Sequence, residues 1–336
     1  MDHELQTNKR PQVLLLGNGI NLGFSDNGIS WPMLLEKITT NKSTGELLDE
    51  LTEKSKENGT GLSAIPFPLE IVLRTDDNVD TTMNRVKTDE DIKELMYGSV
   101  NKELKDILQK ILSMNFDHIL TTNYSYELEM SVTGDSIGSI NKTLKRTQKH
   151  TDAVSRAESK FLLHTYYPIE FNGIHNRVWH IHGEARKPNS MIIGHYYYGN
   201  LLFKYKEFLD KQSKIYNSTD KDKTAFNIKS WLDAFIFGDV YIVGLGLDFS
   251  EMDLWWLINR KKREKSEHGK IIYYDPKPYG KDTDDKLTAV KHKLLTIYDA
   301  EVRSPDCGYE KDHKIDYELF YKNVLTDIGR TMSKHL

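Results

Sequence analysis

Four short apolar runs punctuate the chain, and each stops at glycine or at small polar residues. Val13-Leu14-Leu15-Leu16, with Gln12 before it, has strand length, and its lack of alternation predicts burial on both faces, as in a parallel sheet. It runs into Gly17-Asn18-Gly19-Ile20-Asn21. Phe116 to Leu120 ends in Thr121-Thr122-Asn123-Tyr124, Asp239 to Val243 in Gly244-Leu245-Gly246, and Ile271 to Tyr274 in Asp275-Pro276. Helical patterns follow most of these runs, the first being Trp31 to Ile38 with proline in its first turn. The alternation predicts an α/β fold, a doubly wound parallel sheet. Ligands of such sheets sit beyond the carboxyl ends of the strands, so the four polar clusters should converge on one crevice.

Two stretches break the alternation and read as inserts in one domain spanning 1–336. The first, about 44–113, is charged and helical, with Ile92, Leu95, Leu104, Leu108, Ile111 and Leu112 at helical spacing; Leu47, Leu48 and Leu51 form a second apolar face. The second, about 131–160, is polar and rich in Lys, Ser and Thr. Tyr317 to Leu336 reads as one helix. The basic run Asn259 to Arg263 reads as a solvated helix C-terminus.

Composition narrows the class. Of 336 residues, Lys plus Arg is 46 and Asp plus Glu is 50, a net charge of −4 that argues against a coat for nucleic acid. With 38% hydrophobic and 10% aromatic residues the chain can bury a sizeable core. Its one cysteine, Cys307, can form neither an internal disulfide nor a Cys-x-x-Cys zinc knuckle. The polar start lacks the apolar core of a signal peptide, and the most apolar stretch, Phe235 to Leu247, contains Asp239 and is too short to span a bilayer. The expectation is a cytoplasmic protein with no membrane contact.

Each strand end carries candidate chemistry. Gly17 and Gly19 permit a tight turn and close backbone approach to a diphosphate at a helix N-terminus, although Leu22 stands where a third glycine would complete the dinucleotide fingerprint. Asn123 is placed either to cap a helix or to offer its amide to a ligand. In Val178 to Glu184, alternation places His180 and His182 on one strand face, ended by Gly183. No ligand partner at metal spacing accompanies them, so no metal is expected; a general acid or base fits better, with His180 the more structural of the two. Ser250 is placed to cap the helix beginning Glu251-Met252-Asp253, and His195 to Tyr198 to pack at a helix start. One of Trp255 and Trp256 should be buried.

Taken together and in order, these islands resemble the sirtuin-like family, whose members bind NAD in a Rossmann-type sheet. Gly17-Asn18-Gly19-Ile20-Asn21 is similar to the family's G-A-G-x-S turn, Thr121-Thr122-Asn123-Tyr124-Ser125 to its T-Q-N-x-D, His182-Gly183 to its catalytic H-G, and Gly244-Leu245-Gly246 to its G-T-S segment. Ser125 stands where deacylases have aspartate, and the four-cysteine zinc ribbon is missing. The remaining pattern resembles the bacterial sirtuin-like proteins of antiviral defence, which hydrolyse NAD.

The resemblance implies cleavage of the nicotinamide–ribose bond, with NAD as substrate. Asn123 would hold the ribose or the attacking water, and His182 would take the proton. Gly17, Asn18, Gly19, Asn21 and Thr122 would line the diphosphate side, with Gly244 and Gly246 in the same crevice and Asp275 accepting from the adenosine ribose. Alternative readings are a catalytically silent NAD- or ADP-ribose-binding sensor or scaffold, and a zinc-free deacylase. An NAD-depleting enzyme must be restrained, and the chain shows no sensor domain, so a homo-oligomer or a separate regulatory protein is expected. The 44–113 helices are the candidate interface or lid.

Overall fold

The computed structural model describes residues 10–24, 30, 34, 88–134, 160–193, 195–216, 228–248, 251–264, 268–277, 286–309 and 315–333. Seven strands form one sheet: β1 (Gln12–Leu16), β2 (His118–Thr121), β3 (Tyr167–Phe171), β4 (Ile174–His180), β5 (Asp239–Val243), β6 (Ile271–Tyr274) and β7 (Ala300–Arg303). Their spatial order is β3-β4-β2-β1-β5-β6-β7. Every pairing is parallel except the β3–β4 hairpin at one edge, which turns at Asn172-Gly173. Setting that hairpin strand aside, the six parallel strands follow the doubly wound order 3-2-1-4-5-6 of the Rossmann fold. The chain proceeds outward from β1 to β2 and β4, then returns to lay β5 on the other side of β1. The switch point therefore lies between β1 and β5, where Leu16 pairs with Val243.

Helices cover both faces: α1 (Gly19–Phe24), α2 (Glu90–Tyr97), α3 (Lys102–Leu112), α4 (Glu127–Thr133), α5 (His195–Tyr216), α6 (Trp231–Phe237), α7 (Met252–Arg263), α8 (Lys286–Ile297) and α9 (Tyr317–Ser333). Alternate residues of β1 serve opposite layers, as a strand's period of two requires. Leu14 and Leu16 pack with α1, α2, α3, α4 and α9. Val13 and Leu15 pack with α5, α6, α7 and α8. All five β1 residues are buried, which is why the run does not alternate.

The helical spacing over Asp89 to Leu112 resolves into two helices, because Gly98 takes φ 80° and ends the first, and Asn101 caps the second by accepting from the Leu104 N–H at 2.8 Å. Their apolar residues Ile92, Met96, Leu104, Leu108, Ile111 and Leu112 are buried in the core of this chain. They therefore offer no open face for a partner or lid, while Leu95 is only partly buried. The basic run on α7 ends the helix with Lys262 and Arg263 exposed, as expected, but Lys261 departs from that reading. Lys261 is 1% exposed, and its ammonium donates to the carbonyls of Phe235, Ile236 and Gly238 at 2.6–3.0 Å, closing the C-terminus of α6. Trp255 and Trp256 are both partly buried against the second layer, so neither is fully enclosed. Trp31 to Ile38 apart from Leu34, the segment with Leu47, Leu48 and Leu51, most of the second insert and Ser250 lie outside the described residues. Among the described residues no helix is long and apolar enough to cross a membrane.

Candidate functional site

The strand ends line up as β4, β2, β1, β5, β6, neighbours being about 4.8 Å apart. His182, Asn123, Gly17, Gly244 and Asp275 follow those ends in that order. Backbone bonds continue past the strands and hold the ends together. Ile181 donates to the Thr121 carbonyl at 2.9 Å, Thr122 to Leu16 at 3.4 Å, and Gly17 to Val243 at 2.9 Å. The strand ends thus form a row, with Asn123 between the histidine strand and the glycine turn.

The glycine turn packs against its own chain. A Cβ on Gly17 would lie 2.4 Å from the Gly244 carbonyl oxygen. One on Gly19 would lie 2.7 Å from the same oxygen and 2.8 Å from the Tyr321 hydroxyl. Gly19 also donates its N–H to the Gly244 carbonyl at 2.7 Å. The N–H groups of Gly17 and Gly19 are therefore spent on β5, and the glycines serve the switch point before any ligand. The Asn21 amide donates to the Asn18 side chain at 3.1 Å and bridges the turn from within.

Asn123 sits in a loop that is tied down on both sides. Its N–H donates to the Thr121 hydroxyl at 3.1 Å, and the next residue's hydroxyl, on Tyr124, donates to the Ile192 carbonyl at 3.0 Å. The Asn123 side chain is half-buried and makes no hydrogen bond among the described residues. The amide is thus held in place by its backbone, with donor and acceptor uncommitted.

His180 and His182 do not share a face, which corrects the alternation argument. The strand ends at His180, and a turn at Ile181-His182 breaks the period of two. His180 enters the layer of α4, where it meets the rings of Tyr126 and Tyr167. Its Nδ1 lies 2.9 Å from the Asn123 carbonyl oxygen and its Nε2 3.0 Å from Glu129 Oε1. A carbonyl only accepts, so Nδ1 carries a proton. The Nε2–carboxyl contact then takes up the other nitrogen, whichever group holds its proton. Both ring nitrogens are committed, and His180 is 0% exposed. It props the Asn123 loop and has no lone pair for a substrate.

His182 turns to the other layer. Its Nε2 lies 2.8 Å from Asp253 Oδ2 in the first turn of α7, and the ring meets Tyr198 of α5 edge-on at 5.8 Å. Asp253 is 0% exposed, and the Tyr205 hydroxyl donates to the same oxygen at 3.4 Å. Burial and Asp253 hold the Tyr205 phenol well above its usual pKa, so it remains a donor. A carboxyl group and an imidazole paired in this way fix the orientation of the ring.

Glu251 completes a trio with His182 and Asp253, whose ligand-type atoms all lie within 4.8 Å of one another. Such donors suit a divalent cation.

At the far end of the row, Asp275 is already partnered by the Lys291 ammonium at 3.0 Å and by His292 Nε2 at 2.8 Å. Lys291 also donates to the Gly246 carbonyl at 3.1 Å, so this cluster anchors the Gly244 loop. Sequence reasoning missed Asp253, Glu129 and Tyr205. Asp253 had been seen only as part of a helix start, and nothing local links it to His182, 71 positions away.

A search against protein-family models finds no match, and a search of curated proteins finds none either. The fold and site define a Rossmann-like α/β protein with an asparagine and a carboxylate-paired histidine on neighbouring strand ends.

Proposed function

We propose that this chain is an NAD hydrolase that cleaves the nicotinamide–ribose bond, releasing nicotinamide and ADP-ribose. The observation that carries the reading is the placement of Asn123 and His182 on adjacent strand ends, beside the switch point where a doubly wound sheet takes a dinucleotide. Nicotinamide departs neutral from a cationic pyridinium, so the leaving group needs no acid. The site must instead hold the ribose and deliver water. Asn123, which does not titrate, orients the water or a ribose hydroxyl. His182 takes the proton as the water oxygen bonds to the anomeric carbon and the carbon–nitrogen pair leaves with nicotinamide.

The substrate's diphosphate would meet the first-turn N–H groups of α1 beyond Gly19, which have no intrahelical acceptor. The adenosine end would then run toward β5 and β6. Asp275 takes part in that end only by exchanging or sharing its bonds to Lys291 and His292.

The cellular role that goes with this chemistry is NAD depletion in bacterial antiviral defence, under the restraint of self-assembly or of a separate regulatory protein. The test is free nicotinamide after incubation with NAD, with and without an acetylated peptide. Release without peptide supports the hydrolase, release only with peptide supports a deacylase, and no release supports a silent binding module.

A further inference from the structure

We infer that the Tyr321 hydroxyl is a binding group of the crevice, donating a hydrogen bond to a phosphate oxygen of the dinucleotide. This rests on the reading that NAD lies across the switch point. Tyr321 belongs to α9 and is 3% exposed, yet its hydroxyl makes no hydrogen bond among the described residues. A buried tyrosine hydroxyl ordinarily has a partner, because an unserved one costs folding free energy. Here the ligand supplies it.

The direction of the ring places that hydroxyl at the switch point. A Cβ on Gly23 would lie 2.9 Å from Tyr321 Cε2, whereas one on Gly19 would lie 2.8 Å from the hydroxyl oxygen, and one on Gly244 3.5 Å from it. The ring therefore runs along the glycine face of α1, and its hydroxyl ends beside both the β1 turn and the β5 loop. The rings of Phe24, Tyr317 and Phe320 hold it there, with centroids at 5.9, 6.2 and 5.2 Å. The glycine turn is where a doubly wound sheet sets the diphosphate. In this chain the N–H groups of Gly17 and Gly19 are bonded to the Val243 and Gly244 carbonyls. The turn has thus spent two of its own donors, and Tyr321 supplies one from α9. Burial, with Tyr317 and Asp275 nearby, holds the phenol well above its usual pKa, so it stays a donor throughout the neutral range. Asp275 is itself paired with Lys291 at 3.0 Å and His292 at 2.8 Å, which offsets its repulsion of an incoming anion.

Tyr321→Phe removes the hydroxyl and keeps the ring. Calorimetric titration with ADP-ribose should show Kd raised by about 10–100-fold, the range for a hydrogen bond to a charged group. KM for NAD should rise with it. Adenosine, which lacks the diphosphate, should show no difference between the two proteins. The thermal midpoint of the ligand-free variant should not fall, since no hydrogen bond among the described residues is lost. An unchanged Kd for ADP-ribose overturns the proposal. So does an equal loss of affinity for adenosine, or a variant that melts earlier or fails to fold, since each assigns the hydroxyl to something other than phosphate. If the wild type binds ADP-ribose but releases no nicotinamide from NAD, the hydrolase reading falls, and the ADP-ribose comparison still decides the role of Tyr321. A wild type that binds neither ADP-ribose nor NAD overturns both.

Discussion

Two buried histidines stand two residues apart, and each faces a carboxylate across about 3 Å, yet their hydrogen bonding gives them different capacities. His180 meets acceptors at both ring nitrogens, the Asn123 carbonyl and Glu129. Such a ring is a strut, and its product is the position of the Asn123 loop. His182 meets Asp253 of α7 in the opposite layer, and its ring meets Tyr198 edge-on. Burial and a carboxylate neighbour are common to both. The layer each ring enters separates them: His180 ties β4 to the Asn123 loop, and His182 ties the chain after β4 to α7.

Substitutions at the two places should differ in kind. Asn123→Ala is expected to abolish nicotinamide release with the thermal midpoint nearly unchanged, because its side chain makes no hydrogen bond among the described residues. Undiminished turnover would remove it from the mechanism. His182→Ala should slow turnover by about 10²–10⁴-fold. His180→Ala should instead act on stability, costing about 3–5 kcal/mol in denaturant unfolding, since it strands Glu129 in the core. A His180→Ala protein as stable as wild type, with turnover lost, would reverse the assignment of the two histidines.

A subtler difference concerns pH. Glu127 lies beside the His180 pair, and burial pushes its carboxyl up to about 7 from 4.5, against the hydrogen bond from Ser125. A carboxyl with a raised folded-state pKa binds its proton more tightly when folded. Its stabilising contribution is full below pH 4.5 and is lost as pH rises to about 7. Glu127→Gln should remove that decline and raise stability at pH 8 by up to about 3 kcal/mol. Equal unfolding free energies for the two proteins from pH 4 to pH 8 would contradict it.

The glycine turn needs a different reading from the one its sequence suggests. From the sequence alone, Gly19→Val reads as a probe of diphosphate binding. The close approach of the Gly244 carbonyl and Tyr321 makes it first a probe of folding. A drop in thermal midpoint should precede any change in NAD affinity, and calorimetry on the folded fraction separates the two.

What the sequence made legible follows from locality. The β1, β5 and β6 runs were visible because burial on both faces removes alternation, and the polar residues after them marked the ligand edge. The edge strand β3 and the short β7 were not seen, since each mixes exposed with buried positions. His182 was found, but its face was wrong, because the period of two holds only while the strand lasts and β4 stops at His180. Asp253 and Glu129 were invisible as partners, since their roles come from tertiary approach across 71 and 51 positions. The apolar spacing of the 89–112 helices was real. Whether it faced a core or a partner depended on packing that only the fold supplies.

The account turns on His182 as the base of an NAD-cleaving site. The most direct measurement is nicotinamide release from NAD, without peptide, by wild type and by His182→Ala at equal folded concentration. The account predicts steady release by the wild type and a loss of at least about 10²-fold in the variant. Equal release by both proteins would contradict it.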